Sequence, residues 1–345
     1  MNPSTEWKEQ IPAGENERFE VLAEQLRQLH LRAAKGDKTR TLHAKATAGV
    51  EGTFTVLPDL PEHARSGLFT EPSTYKAYVR FSNGSPVPQS DKKPDVRAMA
   101  IKVVGVSGKK VIPGMEDAKT QDFLLNRSEF IPFKNPEEFV HLVVGAASPP
   151  FGILKFIFRF GLGRLITIGK AMSAGLGAPI SSVATTRFHS EAPIQFGKYA
   201  VRLRAVPHAA AETTQKTPDS LGDELANRLR SGPVTFDLQA QFFVDEARTP
   251  IEDPSVNWIE EVSPYVTVGR LEIAKQDVST ERGRELAAWI ETLSFDPWHA
   301  RVEHKPLGAV MRARNVAYRV STIGRDAAKE PDGTEKFATG SSSAA

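Results

Sequence analysis

Residues 234–242 read VTFDLQAQF, and every second side chain in this stretch is apolar. A period of two is that of a β-strand with one face in a core and the other face polar. Similar stretches lie at 53–56, 78–81, 96–106, 199–204 and 266–273. Because turn signals separate these stretches, the sequence predicts an antiparallel sheet closed into a barrel, which can enclose a ligand.

Two stretches have helical spacing instead. Apolar residues recur every three or four positions between residues 16 and 35, and again over 281–293, where Ser279 or Thr280 could cap the helix. The combination of separate helices with an antiparallel sheet predicts an α+β fold, in which helices flank the barrel.

The ends of the chain differ from its middle in composition. Residues 1–15 are polar, and the chain after about residue 326 is charged and then rich in serine and alanine. We therefore predict a flexible arm over 1–15, one folded domain over 16–326 and a disordered tail over 327–345.

Composition excludes several classes of function. The 345 residues carry a formal net charge of only +2, so no global charge favours nucleic-acid binding. The absence of cysteine excludes disulfides, thiolate zinc sites, iron–sulfur ligation and a thiolate-ligated haem. The first residues lack the pattern of a secretory signal, and no apolar run is long enough to span a bilayer, so we expect a cytoplasmic protein.

One segment stands out by its charge. Between Phe139 and Ser190 there is no acidic residue, while the basic residues are Lys155, Arg159, Arg164, Lys170 and Arg187. Its centre, FGILKFIFRFGLGRLITIG, is strongly apolar. One interpretation is a buried helix pair whose cations reach solvent or acidic partners. The other is a helix at residues 150–170 that makes peripheral contact with a membrane.

Five short motifs carry polar side chains suited to chemistry around a bound group. They are Arg40-Thr41-Leu42-His43-Ala44-Lys45, Arg80-Phe81-Ser82-Asn83-Gly84, Asp122-Phe123-Leu124-Leu125-Asn126, Asn135-Pro136-Glu137-Glu138-Phe139 and Arg314-Asn315-Val316-Ala317-Tyr318. Each motif alone is short. Their order and spacing over residues 38–326 resemble the haem catalases, in particular the shorter branch of catalase-related peroxidases.

The resemblance assigns a role to each side chain that would take part in the chemistry. His43 matches the distal histidine, Ser82 the serine that supports it, and Asn126 the distal asparagine. Tyr318 matches the proximal ligand of the iron, and Arg314 matches the arginine partner of that tyrosine. In this family the imidazole moves a proton between the two peroxide oxygens, and the tyrosine binds iron as a phenolate.

The resemblance also implies the cofactor, which is haem b with its iron. Arg40, Arg80 and Arg325 match arginines that contact the haem propionates. Such contacts offset the free-energy cost of burying two carboxylates. Phe139 matches a phenylalanine packed on the distal face of the haem.

The function implied is that of a haem peroxidase, and three interpretations stay open. The first is reduction or rearrangement of organic or lipid hydroperoxides, with hydrogen peroxide as a further substrate, through a ferryl intermediate. The second is a small true catalase. Leu42 is consistent with it, because the true catalases have an apolar neighbour beside the distal histidine. The third is a non-catalytic haem- or lipid-binding barrel, although mere binding needs neither His43 nor Asn126. We expect a homo-oligomer in each case.

Overall fold

The computed structural model describes residues 2–33, 40, 42–177, 179–209, 216–325 and 327–337. Across these residues the strands are β1 (Ala46–Val56), β2 (Ser73–Asn83), β3 (Arg97–Val104), β4 (Thr120–Asn126), β5 (Phe188–His189), β6 (Ile194–Phe196), β7 (Tyr199–Pro207), β8 (Val234–Phe242) and β9 (Tyr265–Ile273). The helices are α1 (Glu15–Ala33), α2 (Pro136–Ala146), α3 (Phe151–Phe160), α4 (Leu162–Gly177), α5 (Leu221–Ser231), α6 (Glu281–Thr292) and α7 (Ala309–Arg325).

The strands form one antiparallel sheet that closes on itself. Its order is β5-β4-β3-β2-β1-β9-β8-β7-β6, and a further pairing of β5 with β7 joins the two ends. Eight strands thus form the ring, and β6 extends the same edge of β7 that β5 uses. The predicted antiparallel barrel with flanking helices is confirmed.

Aromatic side chains fill the barrel. In β8 the residues Val234, Phe236, Leu238, Ala240 and Phe242 all join the core, as their alternation predicts. Full burial of each large side chain contributes about 1.5–3 kcal/mol relative to exposure. The sequence did not predict β4, because both faces of that strand are largely buried and it therefore lacks alternation.

The helices cover the outside of the barrel. Helix α6 packs across β1 and β2, and the side chain of Thr280 caps it by accepting a hydrogen bond from the backbone N–H of Gly283. Helix α1 packs against α2 and α7, and α2 leads into the hairpin of α3 and α4. Both predicted helices are therefore present. No helix in the described ranges is both long and apolar enough to cross a membrane.

The N-terminal residues lie against the domain, whereas the sequence predicted a flexible arm over 1–15. The backbone N–H of Ser4 donates to the carbonyl of Phe243 at 2.9 Å, and the indole of Trp7 donates to the carbonyl of Lys198 at 2.9 Å. Most polar side chains of this stretch are exposed, so composition alone indicated an unattached arm.

The first part of the predicted tail, residues 327–337, also lies on the barrel. Lys102 is fully buried and donates to both carboxylate oxygens of Asp122 at 2.8 Å and to Glu330 at 2.7 Å. Burial alone would lower the pKa of Lys102, but the two carboxylates outweigh it and raise that pKa. One buried cation thus holds this stretch against the barrel, where the sequence predicted the start of a disordered tail over 327–345. Residues 338–345 lie outside the described part of the chain.

Replacement of Lys102 by methionine should lower the free energy of unfolding by about 3–5 kcal/mol, since two carboxylates would lose their buried cation. Chemical denaturation of the purified protein measures this loss. Lys119→Met, at an exposed lysine, is the matched control and should change stability by no more than about 0.5 kcal/mol. Equal stability of the two variants would contradict the importance assigned to this cation.

Candidate active site

His43 lies just before β1, in a backbone conformation that is uncommon for a side chain of its size. Its φ is +57°, and its backbone N–H donates to the carbonyl of Gly84 at 3.1 Å. The ring Nδ1 lies 3.1 Å from the Oγ of Ser82 on β2. This pair agrees with the roles that the family resemblance gave to both residues, and it leaves Nε2 as the ring nitrogen for proton exchange.

The electrostatic surroundings of His43 keep its ring neutral. Burial and, to a smaller extent, the positive charges of Arg80, Arg314 and Arg40 together lower the pKa of His43 to about 3. A neutral imidazole at physiological pH can accept a proton, which an imidazolium cannot. The same interactions show that Arg80, Arg314 and Arg40 lie near the His43 ring.

Arg40 and Arg80 converge on one carboxylate. Arg80 binds both oxygens of Glu291, with Nε at 2.7 Å and Nη2 at 3.0 Å, and the Nε of Arg40 lies 3.2 Å from the same group. Arg80 Nη2 also donates to the backbone carbonyl of His43 at 2.9 Å. The two arginines predicted to bind propionates are therefore together, and each already contacts a carboxylate of the protein.

Glu291 was not identified from the sequence. It lies near the end of α6, where an acidic residue on an amphipathic helix is ordinarily a solvent-facing charge. Burial would raise the pKa of Glu291, but Arg80 and Arg40 lower it below its ordinary value. Nothing in the local pattern distinguishes Glu291 from the other acidic residues of that helix.

Asn126 ends β4 and contacts a second carboxyl group. Its register partner on β5 is His189, and its Nδ2 donates to Glu191 Oε2 at 2.6 Å. Glu191 has a φ of +59° and is buried. Burial raises the pKa of Glu191 to about 7, while Asn126, Arg314 and Arg202 act in the opposite direction. Glu191 was also missed, although it is the first acidic residue after the long acid-free segment.

Tyr318 and Arg314 lie one turn apart on α7. Arg314 Nη2 donates to the Tyr318 Oη at 2.9 Å. Burial alone would lower the pKa of Arg314, but Tyr318, Glu191 and Asp296 outweigh it and raise that pKa. The Arg314 guanidinium thus contacts the oxygen of the tyrosine that the family resemblance gives as the iron ligand. Arg314 therefore lies near both predicted halves of the site.

The start of α7 is held by charges from distant parts of the chain. Arg312 forms ion pairs with Glu9, Glu15 and Glu252 at 2.6, 2.6 and 3.0 Å. Glu252 also accepts a hydrogen bond from the backbone N–H of Ala309 at 2.7 Å, in the first turn of the helix. Carboxylates at a helix N-terminus satisfy its unpaired N–H groups and favour its dipole. These contacts set the position from which Tyr318 projects.

Two further predicted residues remain. Phe139 on α2 is partly buried and packs edge-on against Phe133, with ring centroids 5.3 Å apart. It also packs against the cluster of Phe156 and Ile168. No contact places it directly on His43, so its role at the distal face stays a prediction. Arg325 ends α7, and its side chain lies outside the described part of the structure.

Glu191→Gln should change the pH dependence of stability. The folded protein keeps a proton on Glu191 that the unfolded chain releases above a pKa of 4.5, so this group's stabilising contribution is lost as the pH rises from there through about 7. The variant should therefore gain about 3 kcal/mol relative to wild type over that range. Denaturation at several pH values measures the difference, and Glu261→Gln at an exposed position is the control. A constant difference between Glu191→Gln and wild type would contradict the assignment.

Comparison with known proteins identifies a close relative. A catalase-related peroxidase from Mycolicibacterium paratuberculosis (strain ATCC BAA-968 / K-10) is 30% identical over 298 residues, which cover 82% of this chain and 87% of the relative. No protein-family model matches the chain.

Two solved catalases share the fold. A fungal catalase superposes with a TM-score of 0.65 and 17% identity over 87% of this chain and 61% of its own. Catalase A from Saccharomyces cerevisiae gives a TM-score of 0.65 and 16% identity over 86% of this chain and 63% of its own. The chain thus spans less than two thirds of these catalases, and the likeness to them shows the fold. With the relative's identity and coverage, these results establish that the chain belongs to the family of catalase-related peroxidases, which are oxidoreductases of the catalase fold.

Proposed function

We propose that this protein binds haem b through Tyr318 and reduces hydroperoxides, with organic and lipid hydroperoxides ahead of hydrogen peroxide. The observation that carries the proposal is the 3.1 Å contact of His43 Nδ1 with Ser82 Oγ, which leaves Nε2 as the free ring nitrogen; burial and the nearby arginines also lower the pKa of this ring. A protein that only stored or carried haem would need no proton acceptor at this position.

The side chains present fit a haem. Arg40 and Arg80 already hold a carboxylate between them, which is the chemistry that a propionate requires. Arg314 donates to Tyr318 Oη, which is the interaction that an anionic oxygen ligand requires. Tyr318 would therefore hold the iron, and Arg40 and Arg80 would hold the propionates beside Glu291.

The bound haem would supply the redox chemistry, and the residues of the chain would handle the proton and the substrate. His43 Nε2 would take the proton from the hydroperoxide O–H group and return it to the oxygen that leaves as alcohol or water. Asn126 has a second amide hydrogen besides the one donated to Glu191, and it would orient the peroxide. Arg314 would donate a hydrogen bond to the Tyr318 oxygen that holds the iron.

Two observations bear on the choice of substrate. Phe139, which the family resemblance puts at the distal face, packs in an apolar cluster with Phe133, Phe156 and Ile168, and apolar surroundings there would favour an organic hydroperoxide. On the other hand, Leu42 beside His43 and the fold of the catalases favour the second candidate, a small catalase that dismutates hydrogen peroxide.

Tyr318→Phe should lower haem content, because the iron would lose its protein ligand. Loss of a residue that merely supports a metal ligand typically costs about 10- to 100-fold in affinity, so loss of the ligand should cost at least that. Absorbance of the Soret band per protein, after purification with haem added, measures the effect. Tyr75→Phe on β2 is the control. Undiminished haem in Tyr318→Phe would remove Tyr318 as the ligand.

Turnover of a fatty-acid hydroperoxide in the presence of a one-electron reducing dye should exceed oxygen release from hydrogen peroxide. His43→Asn should lower the rate of fatty-acid hydroperoxide turnover by about 10²- to 10⁴-fold, which is the usual contribution of a general acid–base group. Asparagine tolerates the left-handed backbone at position 43, so haem content should persist. Rapid oxygen release combined with inertness toward the fatty-acid hydroperoxide would favour the small catalase instead.

A further inference from the structure

Helices α3 and α4 expose large apolar side chains that no other part of the described structure covers. We call these residues the apolar stripe: Phe151, Leu154, Phe158, Leu162 and Ile166, with exposed fractions of 74%, 53%, 97%, 56% and 50%. Their spacing of three or four residues places them on one side of each helix. Contiguous exposed apolar surface of this kind marks an interaction site rather than ordinary surface.

The opposite side of the same hairpin packs against the protein. Phe156 on α3 and Ile168 on α4 are fully buried in a cluster with Phe133 and Phe139. Helices α2 and α3 approach closely, since a Cβ atom on Gly145 would lie 2.8 Å from the carbonyl oxygen of Gly152. The hairpin therefore rests firmly on its inner face, and the apolar stripe is its outer face.

Positive charge borders the apolar stripe. Lys155, Arg159 and Lys170 are exposed on the same two helices, and no acidic residue occurs between Phe139 and Glu191. An apolar face with flanking cations is the pattern of helices that lie in the headgroup region of anionic membranes. Helices of ten and sixteen residues are too short to cross a bilayer, so they would lie along its surface.

We propose that the α3–α4 hairpin docks the protein onto membranes that contain anionic lipids, with the apolar stripe inserted among the acyl chains. A second copy of the chain is a poorer partner, because a two-fold contact through this face would bring its cations toward the same cations of the other copy. The proposal is independent of the haem chemistry.

Docking in this orientation would place the site near the source of a lipid substrate. The inner face of the hairpin contacts Phe139, the residue that the family resemblance puts beside the distal pocket. This consequence rests on the proposed function and on the position that the family resemblance gives to Phe139, whereas the docking itself does not.

Co-sedimentation of the full-length protein with vesicles tests the apolar part of this proposal. Binding should be strong to vesicles of phosphatidylcholine with phosphatidylglycerol and weak to phosphatidylcholine alone. Leu154→Ser and Phe158→Ser should each weaken binding about tenfold or more, from the lost burial of one large side chain. Ile259→Ser is the matched control, since Ile259 is 55% exposed and Leu154 is 53% exposed. It should bind like wild type.

The charge part has its own variants. Lys155→Gln and Lys170→Gln should each weaken binding to the anionic vesicles about fivefold, while Lys275→Gln at an exposed site away from the hairpin should not. Unchanged melting temperatures of these surface variants would confirm that each is folded. Absence of binding to anionic vesicles, or equal binding by Leu154→Ser and Ile259→Ser, would overturn the proposal. Conversion of a dimer to a monomer by Phe158→Ser, seen by sedimentation, would assign the face to a second copy instead.

Discussion

The barrel closes through β5, a strand of only two residues, and the arrangement of the site depends on that closure. Phe188 and His189 pair with β7 on one side, and His189 pairs with Asn126 of β4 on the other. The chain then turns through a left-handed residue, and this turn directs the Glu191 carboxyl group back to the Asn126 amide. A shift of one residue in this register would turn the β5 side chains to the other face of the sheet and would move Glu191 relative to Asn126.

Charge balance explains how so many ionisable groups can be buried together. The arginines around His43 suppress its protonation, so the ring adds no further positive charge to the site. Glu291 balances Arg80 and Arg40 at one edge, and Tyr318 lies against Arg314 at the other. The arginines of the site therefore favour anions, which would suit the carboxylates of the proposed haem.

The sequence predicted the barrel and its flanking helices. It missed residues whose partners are distant in the chain. The alternation in β8 reflects one-sided burial, which a local pattern can show. The pairing of His43 with Ser82 followed from resemblance to a family, and the two side chains lie 3.1 Å apart. Glu191 and Glu291 were missed because their partners lie 65 and 211 residues away in the chain. The attachment of residues 327–337 was missed for the same reason, because nothing near Lys102 in the sequence indicates that it binds Glu330.

The hydrogen bond from Lys102 to Glu330 joins residues separated by 228 positions. It can therefore form only late in the synthesis of the chain. During synthesis, β3 and β4 leave the ribosome long before the second carboxylate that their buried lysine binds. Tyr318 and Arg314 also emerge late, close to Glu330. A nascent chain can therefore pair its early strands before Tyr318 and Arg314, which are proposed to hold the haem iron and to support its ligand, have been synthesised. A nascent chain in which all nine strands have been synthesised would still lack α7, which carries the proposed iron ligand.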